Sequence, residues 1–505
     1  MKLTFCYKMM ASLFVVSAIF TACSKDKPAP IKPVDPPKPT QEQLIADSIY
    51  LFSKEIYYWQ DIIGTSTYAM FNPRQYVVKD DALKTAENVI GAIRNYNVED
   101  KKHGFSYAED YQSGEADANA SSPKAATYYE NDYGISIKAG WKSRVIKPTS
   151  SADFAGWFVS FCYPSSGAGQ AGVVRGMKLS KIGDLTLGYN EASVNKLNDM
   201  FAYQTIKTSP VEFIKANGDT LKTVLSVGKY IPNSFFKYDT IMSAGGRKVG
   251  YFMYRFFDDK ENSQAPMNTV FNYFKSKNIQ DIIIDLRCNN GGFTSAQNML
   301  ANYLAPSSVS GQVMYQTHFN SNLQNGNYTV LKTRFPDYRT FALNYNSTYF
   351  NTGASLDIPK VYIIVSKRSA SASELLINNL KSAGVLGANL ITIGDANTYG
   401  KPVGFFSISL FKKVTFWTVS MFAKNQNLES VPYDGLVPDY FVYDGVDKDF
   451  GDSTEDCVKA ALTLIDGGVV SKSVNKGTVI RAASNGLSER IKDAPSRYDN
   501  MIFSR

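Results

Sequence analysis

Two short segments of the chain carry residues suited to nucleophilic catalysis. Residues 369–374 read Ser-Ala-Ser-Ala-Ser-Glu, and Lys401 follows within Thr-Tyr-Gly-Lys-Pro-Val-Gly. The chain contains only two histidines, His103 and His318. A buried lysine is the other side chain that acts as a neutral amine base toward a serine hydroxyl. Ser371 and Lys401 are therefore candidates for a nucleophile and its general base.

The position of Ser371 along the chain favours this interpretation. The apolar run 361–366 predicts a strand and a helical run begins near Glu374, so Ser371 lies where a strand turns into a helix. The N–H groups at the start of that helix would face a developing oxyanion. The alternative is that these serines only cap the helix, since Ser commonly accepts hydrogen bonds from first-turn N–H groups.

A second turn supplies a partner for this element. Residues 285–292 read Asp-Leu-Arg-Cys-Asn-Asn-Gly-Gly and follow the apolar strand predicted at 282–284. A pair of glycines after a buried strand lets the backbone turn sharply and approach a ligand closely. We therefore expect this turn to offer an N–H group to the same oxyanion.

Four elements in this order carry a family resemblance. Residues 285–292, 369–374, 400–401 (Gly-Lys) and 435–439 (Gly-Leu-Val-Pro-Asp) resemble the motifs of the tail-specific, or C-terminal processing, serine peptidase family. The resemblance implies an α/β catalytic core of the ClpP/crotonase-like type with an inserted PDZ-like domain. It also implies a serine endopeptidase that works by a Ser-Lys dyad through an acyl-enzyme.

The resemblance assigns the roles in the site residue by residue. The family's nucleophile is the middle serine of the Ser-Ala-Ser-Ala-Ser-Glu element, here Ser371, and its general base is the lysine after the later glycine, here Lys401. The oxyanion hole uses the residue after the nucleophile, here Ala372, and a glycine of the pair, here Gly292. No cofactor is implied, and no spacing of Cys, His or acidic residues indicates a metal site.

Two features depart from the family pattern. Lys401 lies 30 residues after Ser371, farther than in the family's standard members, so we expect an extended turn after the helix. Phe405 occupies the position where members often place a Gln or an acid that orients the lysine, and Ser382 stands where some carry an Asp. No third member of the site is therefore assigned. Glu374 is interpreted as a dipole partner of the helix backbone.

The assigned chemistry sets a requirement on the lysine. A lysine accepts a proton only in its neutral form, which burial away from carboxylates favours. Apolar residues lie close to Lys401 in sequence, among them Ile391, Ile393 and Phe406. We expect Lys401 to be buried with its amine within hydrogen-bond reach of Ser371. The alternative is a surface lysine at a strand end.

The amino-acid composition limits the kinds of protein to which the chain can belong. The chain has 505 residues, of which 44% are hydrophobic, as in ordinary soluble proteins of several domains. Its formal charge of +8 is dispersed, and no basic cluster interleaved with aromatics indicates nucleic-acid binding. Cys162, Cys288 and Cys457 are an odd set far apart, which argues against a disulfide framework. Cys288 is interpreted as a packing residue.

The first 40 residues are interpreted as targeting sequence. Residues 1–22 have the pattern of a signal peptide, whose apolar run at 11–20 is too short to span a bilayer. The Phe-Thr-Ala-Cys ending resembles a bacterial lipoprotein cleavage site, with Cys23 as the lipidated first residue. We expect an exported protein held on a membrane surface of the cell envelope, facing the periplasm or outside the outer membrane. Residues 23–40 are a predicted Pro-rich linker; plain secretion is the alternative.

Two domains are predicted between the linker and the core. Residues 41–118 are predicted as a small helical domain, since apolar residues recur at helical spacing in 41–60 and 82–94. Residues 126–228 contain short strands and resemble a PDZ domain. The alternative for this second region is a β-rich spacer that only braces the core.

The PDZ resemblance implies a peptide-binding strand. PDZ folds add a peptide to a sheet edge and hold its C-terminal carboxylate with backbone N–H groups. Here Gly134, Ile135, Ser136 and Ile137 would form that strand. The implied partner is a polypeptide substrate captured near its C-terminus.

The remaining sequence predicts the catalytic core and a tail. Residues 230–466 alternate strands and helical runs, which predicts an α/β core with a largely parallel sheet. Ligand sites in such sheets collect at the carboxyl ends of the strands, where the predicted strands at 281–287, 361–366 and 390–394 meet the motifs. Residues 467–505 are predicted to be a weakly ordered tail.

The combined prediction is an exported, lipid-anchored serine endopeptidase. Two alternatives of other classes stay open. One is a non-catalytic peptide-binding lipoprotein that has kept the fold without the chemistry, which the residue at Phe405 favours. The other is a surface lipoprotein that binds glycans through its abundant Tyr and Phe residues.

Overall fold

The computed structural model describes residues 38–63, 70–111, 130–146, 151–334, 341–471 and residue 487. The predicted signal peptide, Cys23, most of the linker and most of the predicted tail lie outside the described residues. Helices and strands, numbered in chain order, alternate along the described chain, which places it in a mixed α and β class.

The bounds of these elements are as follows. The helices are α1 (Gln41–Ile56), α2 (Gln60–Ile63), α3 (Ala82–Arg94), α4 (Val98–His103), α5 (Gly167–Gln170), α6 (Glu191–Leu197), α7 (Lys260–Lys277), α8 (Thr294–Leu304), α9 (Ser321–Gln324), α10 (Val330–Arg334), α11 (Ala372–Leu380) and α12 (Asp456–Ile465). The strands are β1 (Tyr107–Asp110), β2 (Glu130–Asp132), β3 (Ile135–Trp141), β4 (Phe154–Cys162), β5 (Lys178–Ile182), β6 (Leu185–Thr186), β7 (Thr208–Ile214), β8 (Thr220–Ser226), β9 (Gly228–Tyr230), β10 (Phe235–Met242), β11 (Lys248–Tyr254), β12 (Asp281–Asp285), β13 (Val313–Phe319), β14 (Ser347–Tyr349), β15 (Val361–Val365), β16 (Leu390–Gly394), β17 (Val403–Leu410), β18 (Val414–Asn425) and β19 (Tyr440–Phe441).

The central sheet has the strand order β10-β11-β12-β15-β16-β19. β10 is antiparallel to β11, and the other neighbours pair in parallel, which confirms the predicted α/β core. Ile282 and Ile284 pack against α7, α8 and α11, whereas Ile283 packs toward α12 on the opposite face. Because helices cover both faces, β12 and β15 are buried along their whole length.

A second sheet, not predicted from the sequence, is built on the hairpin of β17 and β18. Its strand order is β1-β18-β13-β14, β17 also pairs with β18, and all pairs are antiparallel. Ile49 of α1 and Ile90 of α3 share one hydrophobic cluster with Phe416 and Val419 of β18. The helices predicted at 41–60 and 82–94 therefore bury their apolar faces against this sheet.

A third sheet contains the region that resembles a PDZ domain. Its order is β3-β4-β5-β7-β8, with β6 on β5, and its pairs are antiparallel. Trp157, Leu179 and Phe213 form its core together with Val194 and Leu197 of α6. β3 lies at one edge of this sheet, where a peptide strand could add.

The structure corrects the predicted bounds of the peptide-binding strand. Gly134 lies in the turn before β3, with a positive φ of 69°. Its amide donates to the Asp132 carboxylate at 2.6 Å, so it is already engaged within the chain. A Cβ at Gly134 would lie 2.1 Å from Cβ of Ser166, so glycine is needed there for close approach. Ile135, Ser136 and Ile137 remain within β3.

From Gln41 onward the chain forms one unit, and the domain boundaries proposed from the sequence stay predictions. None of the helices in the described ranges has both the length and the apolarity to cross a membrane. Among those same residues, no group of three or more His, Cys, Asp or Glu side chains could hold a metal ion.

Candidate active site

Ser371 occupies the turn between β15 and α11. Its side chain is fully buried, and its backbone has φ 62° and ψ −113°. Such a conformation in a residue other than glycine stores roughly 1–3 kcal/mol of strain. Oγ of Ser371 faces the Glu374 amide in a capping-box arrangement, but no described residue makes a hydrogen bond of normal geometry to it. The turn therefore holds an unbonded serine hydroxyl in a strained conformation.

The neighbouring serines have structural roles, which separates them from Ser371. Oγ of Ser366, Ser369 and Ser373 donates to the carbonyls of Arg287, Leu286 and Asn289, at 2.6, 2.8 and 2.9 Å respectively. These bonds tie the serine turn to the turn that follows β12. In the Ser-Ala-Ser-Ala-Ser element, only the middle serine thus keeps its hydroxyl unbonded.

The glycine pair lies directly against Ser371. Gly291 and Gly292 have φ of 114° and 130°, values that L side chains rarely adopt. A Cβ at Gly291 would lie 2.7 Å from Cβ of Ser371, and one at Gly292 would lie 2.1 Å from the carbonyl oxygen of Phe257. Glycine is therefore required at Gly291 by the approach of the Ser371 turn, and at Gly292 by the approach of the Phe257 backbone.

The two predicted oxyanion-hole amides are available. The amide of Gly291 donates to Asn289 Oδ1 at 2.9 Å. By contrast, no hydrogen bond among the described residues has the amide of Gly292 or Ala372 as its donor. Ala372 is the first residue of α11, whose first-turn N–H groups have no partner within the helix. This difference favours Gly292 over Gly291 as the second donor.

Glu374 joins the segment of Ser371 to the segment of Lys401. Its fully buried carboxylate accepts the amides of Ser371, Gly400 and Lys401 at 2.9, 2.7 and 2.9 Å, and the Thr398 hydroxyl at 2.5 Å. Burial raises the pKa of Glu374, and these hydrogen bonds lower it only in part. The bond from Ser371 is the structural role predicted for Glu374, whereas the bonds from the lysine segment were not predicted.

Lys401 is buried, as predicted, with 6% of its surface exposed. The expected hydrogen bond between its amine and Ser371 is not formed in this structure, because Oγ of Ser371 has no hydrogen-bond partner. The amine instead lies over the ring of Phe405, with Nζ 5.0 Å from the ring centroid. The departure at position 405 therefore places an aromatic face against the lysine.

The Gly-Leu-Val-Pro-Asp element holds the loop that carries Lys401. A Cβ at Gly400 would lie 2.0 Å from the Tyr433 carbonyl oxygen, and one at Gly435 would lie 2.0 Å from the Thr398 carbonyl oxygen. Hydrogen bonds between Thr398 and Leu436, at 3.1 and 2.7 Å, join the same two loops. The element thus fixes the backbone just before the lysine.

Cys288 lies within the glycine-pair turn and is buried. Burial raises the pKa of its thiol, which keeps the thiol protonated and unreactive. This environment agrees with the packing role predicted for Cys288.

Part of the chain matches a known peptidase family. Residues 248–441, which include both turns and Lys401, match the model of peptidase family S41. A structure from Bacteroides fragilis NCTC 9343, whose S41 protease assignment is provisional, has 17% identity and a TM-score of 0.58, covering 85% of this chain and 99% of that chain. The photosystem II D1 C-terminal processing protease has 17% identity and a TM-score of 0.45, and the match covers 79% of this chain and 92% of that chain. No protein with curated annotation matches the chain.

Proposed function

Because residues 248–441 carry the core of a serine peptidase of family S41, we propose that the chain is a C-terminal processing endopeptidase. It cleaves polypeptides by a Ser-Lys dyad, with Ser371 as nucleophile and Lys401 as general base. The amides of Gly292 and Ala372 form the oxyanion hole. No cofactor takes part in this chemistry.

One observation carries the proposal. The strained Ser371 keeps its hydroxyl unbonded, next to two amides that donate to no described group. A buried polar group without a partner calls for an explanation, and a catalytic role is one such explanation. A tetrahedral intermediate on Ser371 would supply that partner, since its oxyanion accepts both amides.

The mechanism assigns each proton to a stated atom. The neutral Lys401 amine turns from Phe405 to Ser371 and accepts the Oγ proton while Oγ attacks the substrate carbonyl carbon. The carbonyl oxygen becomes the oxyanion, bound by the Gly292 and Ala372 amides. Collapse of this intermediate breaks the C–N bond, and Lys401 returns the proton to the departing amine. Lys401 then takes a proton from a water whose oxygen attacks the acyl carbon, and it returns that proton to Oγ of Ser371 as the ester C–O bond breaks.

The third sheet is the proposed capture site for the substrate. Its edge strand β3 carries Ile135, Ser136 and Ile137, to which an extended C-terminal segment adds as a further strand. Because the Gly134 amide is engaged by Asp132, Gly134 acts by shaping the turn before the strand. Because PDZ folds hold a C-terminal carboxylate with backbone N–H groups, a substrate with an amidated C-terminus should bind more weakly than one with a free carboxylate.

We place the enzyme in the cell envelope as a lipoprotein. This proposal rests on residues 1–22, which have the pattern of a signal peptide, and on Cys23, which ends a sequence that resembles a lipoprotein cleavage site. The Pro-rich residues 23–40 then separate the anchor from the catalytic body. Incorporation of a labelled fatty acid in the wild type, and its loss in Cys23→Ser, tests the assignment; equal labelling of both would contradict it.

A non-catalytic peptide-binding lipoprotein is the second candidate. The observation that favours it is the missing hydrogen bond between Lys401 and Ser371 together with the Phe405 contact. Catalytic hydrogen bonds often form only in the substrate complex, so the peptidase remains our conclusion.

Incubation with denatured and native model proteins tests the function. Products are read by mass spectrometry for the wild type beside Ser371→Ala. We expect the wild type to cleave the denatured chains and the variant to be inactive. Equal cleavage by both proteins, or by neither, would contradict the proposal.

A further inference from the structure

A buried cluster of charges joins the third sheet to the turn that bears Gly292. At its centre is Asp444, which lies between β19 and α12 and is 6% exposed. Its Oδ1 accepts from Arg287 and from Arg175, both at 2.8 Å, and its Oδ2 accepts from Lys138 at 2.9 Å. Burial raises the pKa of Asp444, but the three cations outweigh burial and hold it well below its ordinary value. The carboxylate is therefore ionised and shared by three cations.

Arg287 connects this carboxylate to the catalytic turns. It belongs to the Asp-Leu-Arg segment before Gly292, and its side chain is 2% exposed. Its guanidinium also donates to Asp285 and Glu455, while its carbonyl accepts Oγ of Ser366 at 2.6 Å. Arg287 therefore contacts the buried carboxylates through its side chain and the segment before Ser371 through its carbonyl.

The other two cations belong to the third sheet. Lys138 follows Ile137 in β3, and Arg175 precedes β5 and donates to the carbonyl of Ser160 in β4 at 2.6 Å. The guanidinium carbons of Arg175 and Arg287 lie 4.4 and 5.7 Å from the ring centroid of Phe450. The third sheet and the catalytic turn therefore share both an anion and an aromatic contact.

We propose that Asp444 is a positioning residue through which the third sheet sets the place of the Gly292 amide. This inference rests on the proposed roles of Ser371 and Gly292. The two oxygens of the Asp444 carboxylate accept hydrogen bonds from three cations. A change at Lys138 therefore alters how strongly Asp444 holds Arg287. A peptide strand added to β3 contacts the backbone next to Lys138 and so acts on the oxyanion hole through Asp444.

Lys138→Met and Arg144→Met form a matched pair for the test. Both side chains reach from the third sheet to the same acidic segment and are similarly exposed, at 36% and 37%. Arg144 pairs with Asp447 at 3.0 Å and Asp456 at 2.5 Å instead of Asp444. The pair therefore controls for a general loss of ionic contacts. Because Lys138 also pairs with Asp395 at 2.5 Å, a second control is Asp395→Asn, which removes that contact alone and should be labelled within about twofold of the wild-type rate.

The first readout is the rate at which a fluorophosphonate labels Ser371, which needs no bound substrate. Lys138→Met should lower the rate at least about fivefold, the lower range of coupling between sites. Arg144→Met should stay within about twofold of the wild type, and Lys138→Arg should restore the rate. For a denatured polypeptide, kcat should fall with KM nearly unchanged. Equal rates for the two Met variants would overturn the proposal.

The second readout is hydrogen exchange of residues 285–292, which is independent of catalysis. Lys138→Met should speed exchange in this segment, whereas Arg144→Met should leave it unchanged. The same exchange in both variants would also overturn the positioning role. If the wild type is not labelled at all, the proposed function fails, and the exchange comparison still decides the role of Asp444.

Discussion

Glu374 accepts the backbone amide of Lys401 at 2.9 Å, although 27 residues separate the two in sequence. Its other carboxylate contacts include the Ser371 amide, also at 2.9 Å. One buried carboxylate thus fixes the distance between the segment of the nucleophile and the segment of the base. Neither bond uses the lysine amine, so the amine remains able to change partners during the reaction.

Replacing Glu374 by Gln should lower kcat/KM for a denatured polypeptide by about 100-fold, the effect of roughly 1 Å of misplacement in an active site. In this variant, the NH2 group of Gln faces backbone N–H donors, which in the wild type donate to a carboxylate oxygen of Glu374. The control is Glu109→Gln, which changes a partly buried carboxylate bonded to Trp417 in the second sheet. Wild-type activity in Glu374→Gln would contradict the positioning role.

The pH dependence of stability should also change in Glu374→Gln. Burial raises the pKa of Glu374 above its ordinary value of 4.5, so the folded protein holds this proton more tightly than the unfolded chain. The stabilisation is fully present below the unfolded pKa and is lost as pH rises through the folded pKa. The wild-type free energy of unfolding, relative to the variant, should fall by up to about 1.4 kcal/mol per pH unit within this window. Urea denaturation at several pH values measures this difference in the free energy of unfolding. A difference that stays constant or rises with pH would contradict a raised pKa of Glu374.

Gly291→Ala should abolish most activity, because the new Cβ would lie 2.7 Å from Cβ of Ser371. Gly311→Ala is the control, since Gly311 also has a positive φ, 80°, but nothing lies within 4 Å of its Cβ position. Gly311→Ala should lose about 1–2 kcal/mol of stability from backbone strain, and Gly291→Ala should lose more, because the steric clash adds to that strain. Only Gly291→Ala should lose about 100-fold in kcat/KM, and equal activities would show that the contact is unimportant.

The two turns of the candidate site were predictable because they are local features at strand ends. Asp285 ends a buried apolar strand, Ser371 follows another, and parallel strands bring such ends to the same edge of a sheet. The pair of glycines in the sequence indicated that the backbone approaches another group closely at this turn. Helix α3 could also be predicted from the sequence, because its apolar spacing and its capping residue Asp81 are both local sequence features.

The second sheet and the full role of Glu374 were not predictable. The hairpin of β17 and β18 turns at Phe411 and Lys412, both with positive φ, without the Asn or Gly that usually marks such a turn. A Glu three residues after a serine indicates a helix cap, and nothing local reveals its bonds to Lys401. The Phe405 contact likewise depends on a β-strand register that is set by tertiary packing.

The central claim is that Lys401 activates Ser371, and fluorophosphonate labelling followed by peptide mass spectrometry tests it most directly. We expect one adduct, on Ser371, in the wild type, no adduct in Ser371→Ala, and at least about a 100-fold slower reaction in Lys401→Met. Thermal unfolding of each variant should stay close to that of the wild type. Labelling of Lys401→Met at the wild-type rate, or an adduct on a different residue, would contradict the account.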